Sequence, residues 1–279
     1  MAASDPSRIS PTAHYTGTVW FLHGMSHRAL VSTKGLLLHA ALAPANFAYG
    51  RLGDRPNLDE MLVARHVVID HLLEQEIAAG RVHQVIEVAA GMSPRGFRFA
   101  QRHPSLHYFE GDLPESAERK RKVLEAAGLR GPNHEVVTID ALRDDGEGSL
   151  AALCARLPRG AGTALITEGL LNYFDLPTVE AIWRRMARAL RALGGGLYLA
   201  DLNLGGDATL AALVFGKVLS WFARGQVHLH FDGPAQAEGA LLAAGFAQAH
   251  VRKPADVPGV NVPRANDGHI VRVVEARVG

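Results

Sequence analysis

The chain has one cysteine, Cys154, in 279 residues. A single thiol excludes an internal disulfide framework and any metal site built from several cysteines, and a reducing, cytoplasmic setting is the expectation. Cys154 lies in the helical pattern SLAALCARL, where a cysteine serves as a small buried apolar side chain. Runs of five or more like charges are also missing, and 29 Lys+Arg against 28 Asp+Glu leave a formal net charge of +1. That balance gives no electrostatic footprint for nucleic acid and no charged disordered tail. The ERKRK cluster at 118–122 reads as the solvated face of a helix. Long apolar runs are absent as well: GLLLHAALA (35–43) and the stretch 210–223 are interrupted by His39 and Lys217 and are too short to span a bilayer. The first residues, MAASDPSRIS, lack the basic start and apolar stretch of a secretory signal. The expectation is a soluble protein of one domain with elaborations, without nucleic-acid or membrane partners.

The most informative shortage is of glycine in one loop. VIEVAAGMSPRGFRFAQRHP (85–104) has the layout of a buried strand, a loop and a helix start, yet the loop holds only Gly91 and Gly96. A pyrophosphate loop needs close backbone approach and a helix N-terminus aimed at negative charge, which is why dinucleotide folds use three glycines there. Glu87, at the end of the strand, would repel a pyrophosphate and suit an ammonium.

What is present is a regular alternation of short β-rich runs and longer helical patterns. Strands are expected at 83–88, 106–111, 134–139, 163–168 and 196–201, with helices near 94–103, 115–127, 148–157 and 178–193. After a further helix near 235–244, the runs 246–253 and 268–276 have no helical pattern between them and read as an antiparallel pair. The fold class is therefore α/β: five parallel strands plus a terminal antiparallel hairpin, helices on both faces. Residues 1–81 precede this core as an N-terminal helical cap or lid, with a helix at LDEMLVARHVVIDHLLEQEIAAG ending at Gly80. Residues 205–231 interrupt the core at 82–279 as an apolar helical insertion.

Acids mark the strand ends: Glu87, Asp112, Asp140, Glu168 and Asp201. Any one of them reads equally as a helix cap or turn residue. Together they line the crevice beyond the carboxyl ends of a parallel sheet, where ligands bind, and they favour hydroxyl and ammonium groups over phosphate. Asp112, 21 positions after Gly91, is placed for both hydroxyls of a ribose. A ligand with a ribose, an ammonium and no phosphate is S-adenosyl-L-methionine.

The segments VIEVAAGMSPRGFRFAQRHPSLHYFEGDLPESAERKRKVL, TIDALRDD (138–145) and TEGLLNYFD (167–175) resemble the leucine carboxyl methyltransferase family, which includes bacterial polyketide O-methyltransferases. The resemblance covers roughly 58–201 and implies a Rossmann-like class I methyltransferase sheet. It implies that Glu87 and Gly91 meet the methionine part of S-adenosyl-L-methionine, Asp112 the ribose, Asp140 and Ala141 the adenine, and Glu168 the aminoacyl group. Arg65 would pair with the cofactor carboxylate; its plain alternative is a helix-surface residue paired with Glu60 or Glu76. Ala89-Ala90 departs from the family by standing where a glycine is usual. Asp112→Ala is expected to abolish cofactor binding and leave thermal unfolding nearly unchanged.

A hydroxyl acceptor profits from a general base near neutral pH, for which histidine is suited. His23 and His230 are the candidate bases, and Tyr173, just past the fourth strand, is the third candidate catalytic residue. Tyr15, Trp20, His27, Asn172 and His228 are candidates for acceptor binding. The pairs His23/His27 and His228/His230 lack the further ligands of a zinc site, so no metal is expected. The leading expectation is an S-adenosyl-L-methionine-dependent O-methyltransferase acting on a small-molecule acceptor such as a polyketide or other secondary metabolite. Its competitors are a methyltransferase for protein or peptide carboxylates, a non-catalytic cofactor-binding scaffold and, on fold alone, a nicotinamide oxidoreductase. A homodimer is left open.

Overall fold

The computed structural model describes residues 11–51, 57–206, 227–262 and 271–279. The described residues form one seven-stranded sheet, β1 (Gln84–Val88), β2 (His107–Asp112), β3 (His134–Thr138), β4 (Thr163–Thr167), β5 (Gly196–Asn203), β6 (Gln248–Arg252) and β7 (Val271–Val278). Its spatial order is β3-β2-β1-β4-β5-β7-β6. β1 to β5 are parallel, and β7 runs antiparallel between β5 and β6. This is the expected five-plus-hairpin sheet, each predicted strand lying within a few residues of its place.

Alternation along the strands divides the core in two. Ile86, Val88, Leu165, Tyr198 and Ala200 face α6 (Leu150–Ala155), α7 (Leu176–Ala192) and α8 (Pro234–Ala243). Val85, Tyr108, Ala164, Ile166 and Leu199 face α3 (Leu58–Ala78) and α4 (Arg95–Arg102). α5 (Pro114–Ala126) joins that face through Ala117 and Leu124, which pack against Phe97 and Val136. α3 starts at a capping box: Asn57 accepts from the Glu60 N–H and the Glu60 carboxylate accepts from the Asn57 N–H. Cys154 is buried, and burial pushes its thiol up to about 11, as suits an inert packing residue.

Ahead of α3 the N-terminal segment contains α1 (Pro11–Leu22) and α2 (Thr33–Arg51). α1 holds Gly17 and three threonines, weak helix formers, and tertiary contact holds it in place. Positions 13, 17 and 20 lie on one face. A side chain added at Gly17 would begin 3.6 Å from Met92 Cβ, and one at Gly91 would begin 3.9 Å from Ala13 Cβ. The Trp20 ring sits 4.6 Å from that of His66, and the Tyr173 hydroxyl donates to Thr12 Oγ1 at 2.8 Å. α1 therefore crosses the carboxyl edge of the sheet. Most of the insertion expected at 205–231 lies outside the described residues.

The loop after β1 turns in left-handed backbone without the glycine that is usual there. Ala89 has φ +57°, the only positive value among the described non-glycine residues, and Gly91 has φ +47°. Left-handed backbone costs an L-residue roughly 1–2 kcal/mol, part of which glycine's larger unfolded-state entropy would cancel. Ala89→Gly is accordingly expected to stabilise the fold by up to about 1 kcal/mol. Chemical denaturation checks this, and a destabilised variant would refute it.

Candidate functional site

Strand register sets the first problem that the site must solve. β1 and β2 are in-register parallel neighbours with Glu87 opposite Glu110, both 1% exposed. Two carboxylates side by side in the interior need separate counter-ions. Glu110 has Lys120 Nζ at 2.7 Å and His134 Nε2 at 2.8 Å. Lys120 is 1% exposed, so the ERKRK cluster is not wholly a solvated face: one of its cations turns inward because Glu110 is there. Gly96 makes room for this group. A Cβ at position 96 would lie 2.6 Å from Glu110 Oε1 and 2.7 Å from His134 Nε2, so this glycine serves helix-to-sheet packing.

Glu87 is answered by Arg95, the first residue of α4 and completely buried. Arg95 donates from Nη1 to Glu87 at 2.7 Å, from Nε to Asp70 at 2.6 Å and from Nη2 to Glu168 at 2.6 Å. The second Glu87 oxygen accepts from the Tyr108 hydroxyl at 2.7 Å. Burial raises the Glu87 carboxyl above its usual range despite Arg95. The expectation that Glu87 meets the ligand ammonium is corrected here: its oxygens are enclosed and engaged by protein donors.

Arg65 turns toward the acids at the ends of β4 and β5. Its Nε donates to Glu168 at 3.1 Å and its Nη1 to Asp201 at 2.7 Å, which displaces the alternative pairing with Glu60 or Glu76. The glycine at 169, with φ +69°, leaves space for Arg65 Nη2, which lies 2.9 Å from where a Cβ would stand. Asp201 also accepts from the Gly169 N–H at 2.6 Å. Burial pushes Glu168 upward, but His66, Arg95 and Arg65 outweigh it and hold its carboxyl well below the usual range.

Asp112 is the strand-end acid that locks the loop. Its Oδ2 accepts from Gly91 N–H at 2.6 Å and its Oδ1 from Leu113 N–H at 2.8 Å, and burial raises its carboxyl. Each oxygen retains a further lone pair, the acceptor capacity that two ribose hydroxyls would use. The two backbone bonds also mean that Asp112 matters for stability, contrary to the expectation from sequence. Asp140 and Ala141 are half-buried beyond β3, where the Asp140 Oδ1 accepts from Leu142 N–H at 2.9 Å.

The acceptor-side candidates separate. Tyr15 is 4% exposed and donates to Asp59 at 2.6 Å, so it pins α1 to α3 and is not open to an acceptor. Asn172 is a backbone clamp: it accepts from Asn203 N–H at 2.9 Å and donates to the carbonyls of His228 at 2.6 Å and Asn203 at 3.2 Å. Both roles replace the expected acceptor contact, because the polar atoms concerned already have partners. His23 and His27 are exposed on the turn after α1, and His27 caps the short helical turn at 28–30 through its bond from Ala29 N–H. His228 and His230 stack at 5.5 Å, and His230 Nε2 is buried without a partner among the described residues. Tyr173 stands at the rim, where Arg65 and Asp201 influence its hydroxyl and burial raises it.

Sequence reasoning missed Arg95, His66 and Asp70. His66 is fully buried on α3, 2.9 Å from both Glu168 and Arg95. The available signal for Arg95 was indirect: Glu87 in a buried strand demands a cation, and the first one after it in the chain is the arginine of SPRG.

The edge therefore presents ribose-type acceptors at Asp112, a guanidinium at Arg65 and a predominance of carboxylates. That donor set fits S-adenosyl-L-methionine and would oppose a pyrophosphate. The leucine carboxyl methyltransferase family model matches residues 23–187. A provisionally named S-adenosyl-L-methionine-dependent methyltransferase of Streptomyces coelicolor is 35% identical over 125 residues, 45% of this chain and 43% of that protein. A second so named, from Streptomyces avermitilis, is 32% identical over 126 residues, again 45% and 43%. The match thus spans under half of the length of these curated relatives. Among solved structures, a DUF574 family protein from Streptomyces avermitilis superposes with a TM-score of 0.65 at 11% identity, covering 95% of this chain and 96% of that one. A provisionally assigned methyltransferase from Thermobifida fusca gives 0.64 at 14%, covering 98% and 96%. These two likenesses show the fold. The family match takes in more than half of the residues, from the turn after α1 into α7, and on it the chain belongs to the leucine carboxyl methyltransferase family.

Proposed function

We propose that the protein is an S-adenosyl-L-methionine-dependent O-methyltransferase acting on a small molecule, a polyketide or other secondary metabolite. The observation that carries this reading is the carboxyl edge itself, with Asp112 closing the loop after β1 and Arg65 facing the β4 and β5 acids in a chain of this family. Bound there, S-adenosyl-L-methionine supplies a methyl group on a sulfonium. The residues would act around it. Asp112 would hold the ribose, Asp140 and Ala141 would flank the adenine, and Arg65 would take the carboxylate beside Glu168. α1 would exclude water, which favours in-line displacement.

For a hydroxyl acceptor, His230 is the better placed base, with Nε2 buried and unpartnered, whereas His23 is exposed. Burial holds His230 below the usual imidazole range, so the ring is neutral at pH 7 and can accept a proton. Tyr173, at the rim beside Arg65, would orient the acceptor. The rate is then level from neutral pH upward and falls only on acidification through the range below that of an ordinary imidazole, as the base becomes protonated. His230→Ala lowers it by roughly 10²- to 10⁴-fold and removes that acid limb; a retained limb would exclude His230 as the base.

Methyl-tritiated cofactor, offered with phenolic acceptors and with peptides, tests the whole reading. Base-stable label on the phenols supports it. Base-labile methyl ester on peptides would turn it to carboxylate methylation, which the family description also suits, and NAD as the co-purified ligand would overturn it.

A further inference from the structure

We propose that the Trp20 indole N–H is a cofactor-binding group carried by α1, donating to the same aminoacyl carboxylate that Arg65 faces. This rests on the cofactor reading above and adds a residue to it. Trp20 is 6% exposed, and its Nε1 is buried without a hydrogen-bond partner among the described residues. Buried indole N–H groups ordinarily find an acceptor, because leaving a donor unmet costs more than the bond returns. This one lies beside the ligand edge. The indole ring is 4.6 Å from His66, the residue after Arg65 on α3, and His66 Nδ1 is 2.9 Å from the Glu168 carboxylate whose other oxygen takes Arg65 Nε.

The strand-end acids take their donors from elsewhere, and none accepts from this nitrogen. Glu168 is held by Arg65, His66 and Arg95, and Asp201 by Arg65 and the Gly169 N–H. An indole nitrogen can only donate, so the missing partner must bring an acceptor oxygen. Of the charged groups of S-adenosyl-L-methionine, the ammonium and the sulfonium offer no acceptor oxygen. The carboxylate does, and Arg65 draws it to this end of the crevice. A carboxylate held by Arg65 from α3 and by Trp20 from α1 would fasten the helix that crosses the carboxyl edge.

Calorimetry with S-adenosyl-L-methionine and with its decarboxylated analogue, on wild type and Trp20→Phe, tests this. Phenylalanine keeps a ring against His66 and removes the donor; the volume it also removes would weaken both ligands alike, so the comparison between them isolates the hydrogen bond. The variant should bind S-adenosyl-L-methionine roughly ten- to a hundredfold more weakly, the range of a hydrogen bond to a charged group. Its affinity for the decarboxylated analogue should match wild type. Unchanged affinity for the intact cofactor, or an equal loss for both ligands, overturns the proposal. Wild type binding neither ligand would overturn the cofactor reading and this inference with it. Should the variant not fold, protein that keeps Trp20 as its sole tryptophan answers by indole nitrogen NMR: the chain has three tryptophans. The resonance that survives in Trp183→Phe/Trp221→Phe protein should shift with the intact cofactor and stay in place with the decarboxylated one, and an identical response to both overturns the proposal.

Discussion

Arg95→Met is expected to destabilise the protein by about 3–5 kcal/mol, the cost of breaking a buried ion pair from one side. Arg95 is completely buried and donates to three carboxylates, Asp70, Glu87 and Glu168. Methionine approximates its length and removes the charge. Glu168 retains Arg65 and Asp70 retains Arg98 at 3.0 Å, but Glu87 keeps only the Tyr108 hydroxyl. The pH dependence identifies the cause. Without its cation, Glu87 has a folded-state pKa raised further above the unfolded value than burial already sets it. A raised carboxyl pKa is a stability loss that grows as pH rises above the unfolded value and shrinks as pH falls toward it. Urea denaturation should therefore show a larger deficit at pH 8 than at pH 5. An equal deficit at both would assign the effect to packing and remove the ion-pair account.

Arg95 also marks the boundary of what the sequence could reveal. The strands were legible because apolar runs ending in an acid are a local pattern, and the parallel-then-antiparallel order followed from which connections could hold a helix. Asp112 and Arg65 stand out in the sequence only through the family motif. Partnerships were harder, since they depend on register and on which helix lies over which strand. Glu87 looked open to a ligand until β2 placed Glu110 beside it and α4 placed Arg95 on it. Lys120 looked solvated for the same reason, as its partner is ten residues away on a neighbouring strand. α1 leaves little local signal of its bounds because its helix-forming tendency is weak and its small residues matter only through contact with the loop at Gly91 and Met92. Tyr15 and Asn172 fit the chemistry of a binding site, and their buried hydrogen bonds give them structural work.

Asp112→Asn is expected to reduce S-adenosyl-L-methionine affinity by roughly two to four orders of magnitude, the loss of charged acceptors for two ribose hydroxyls at about 1.5–3 kcal/mol each. The carboxylate is suited because it accepts at both oxygens while already holding Gly91 N–H and Leu113 N–H. An amide can keep one of those bonds, and its NH₂ then opposes a backbone or ribose donor. The same geometry predicts a stability loss of about 1–3 kcal/mol, because a buried N–H loses its acceptor. Affinity and loop integrity would then fall together, and a second substitution separates them. Ala89→Gly relaxes the strained residue in the same loop and recovers part of the stability, while it supplies nothing to the ribose. The double variant Ala89→Gly/Asp112→Asn should therefore unfold at a higher temperature than Asp112→Asn and bind the cofactor no better. Recovery of affinity in step with stability would show that Asp112 acts by shaping the loop, and the ribose contact would have to be assigned elsewhere.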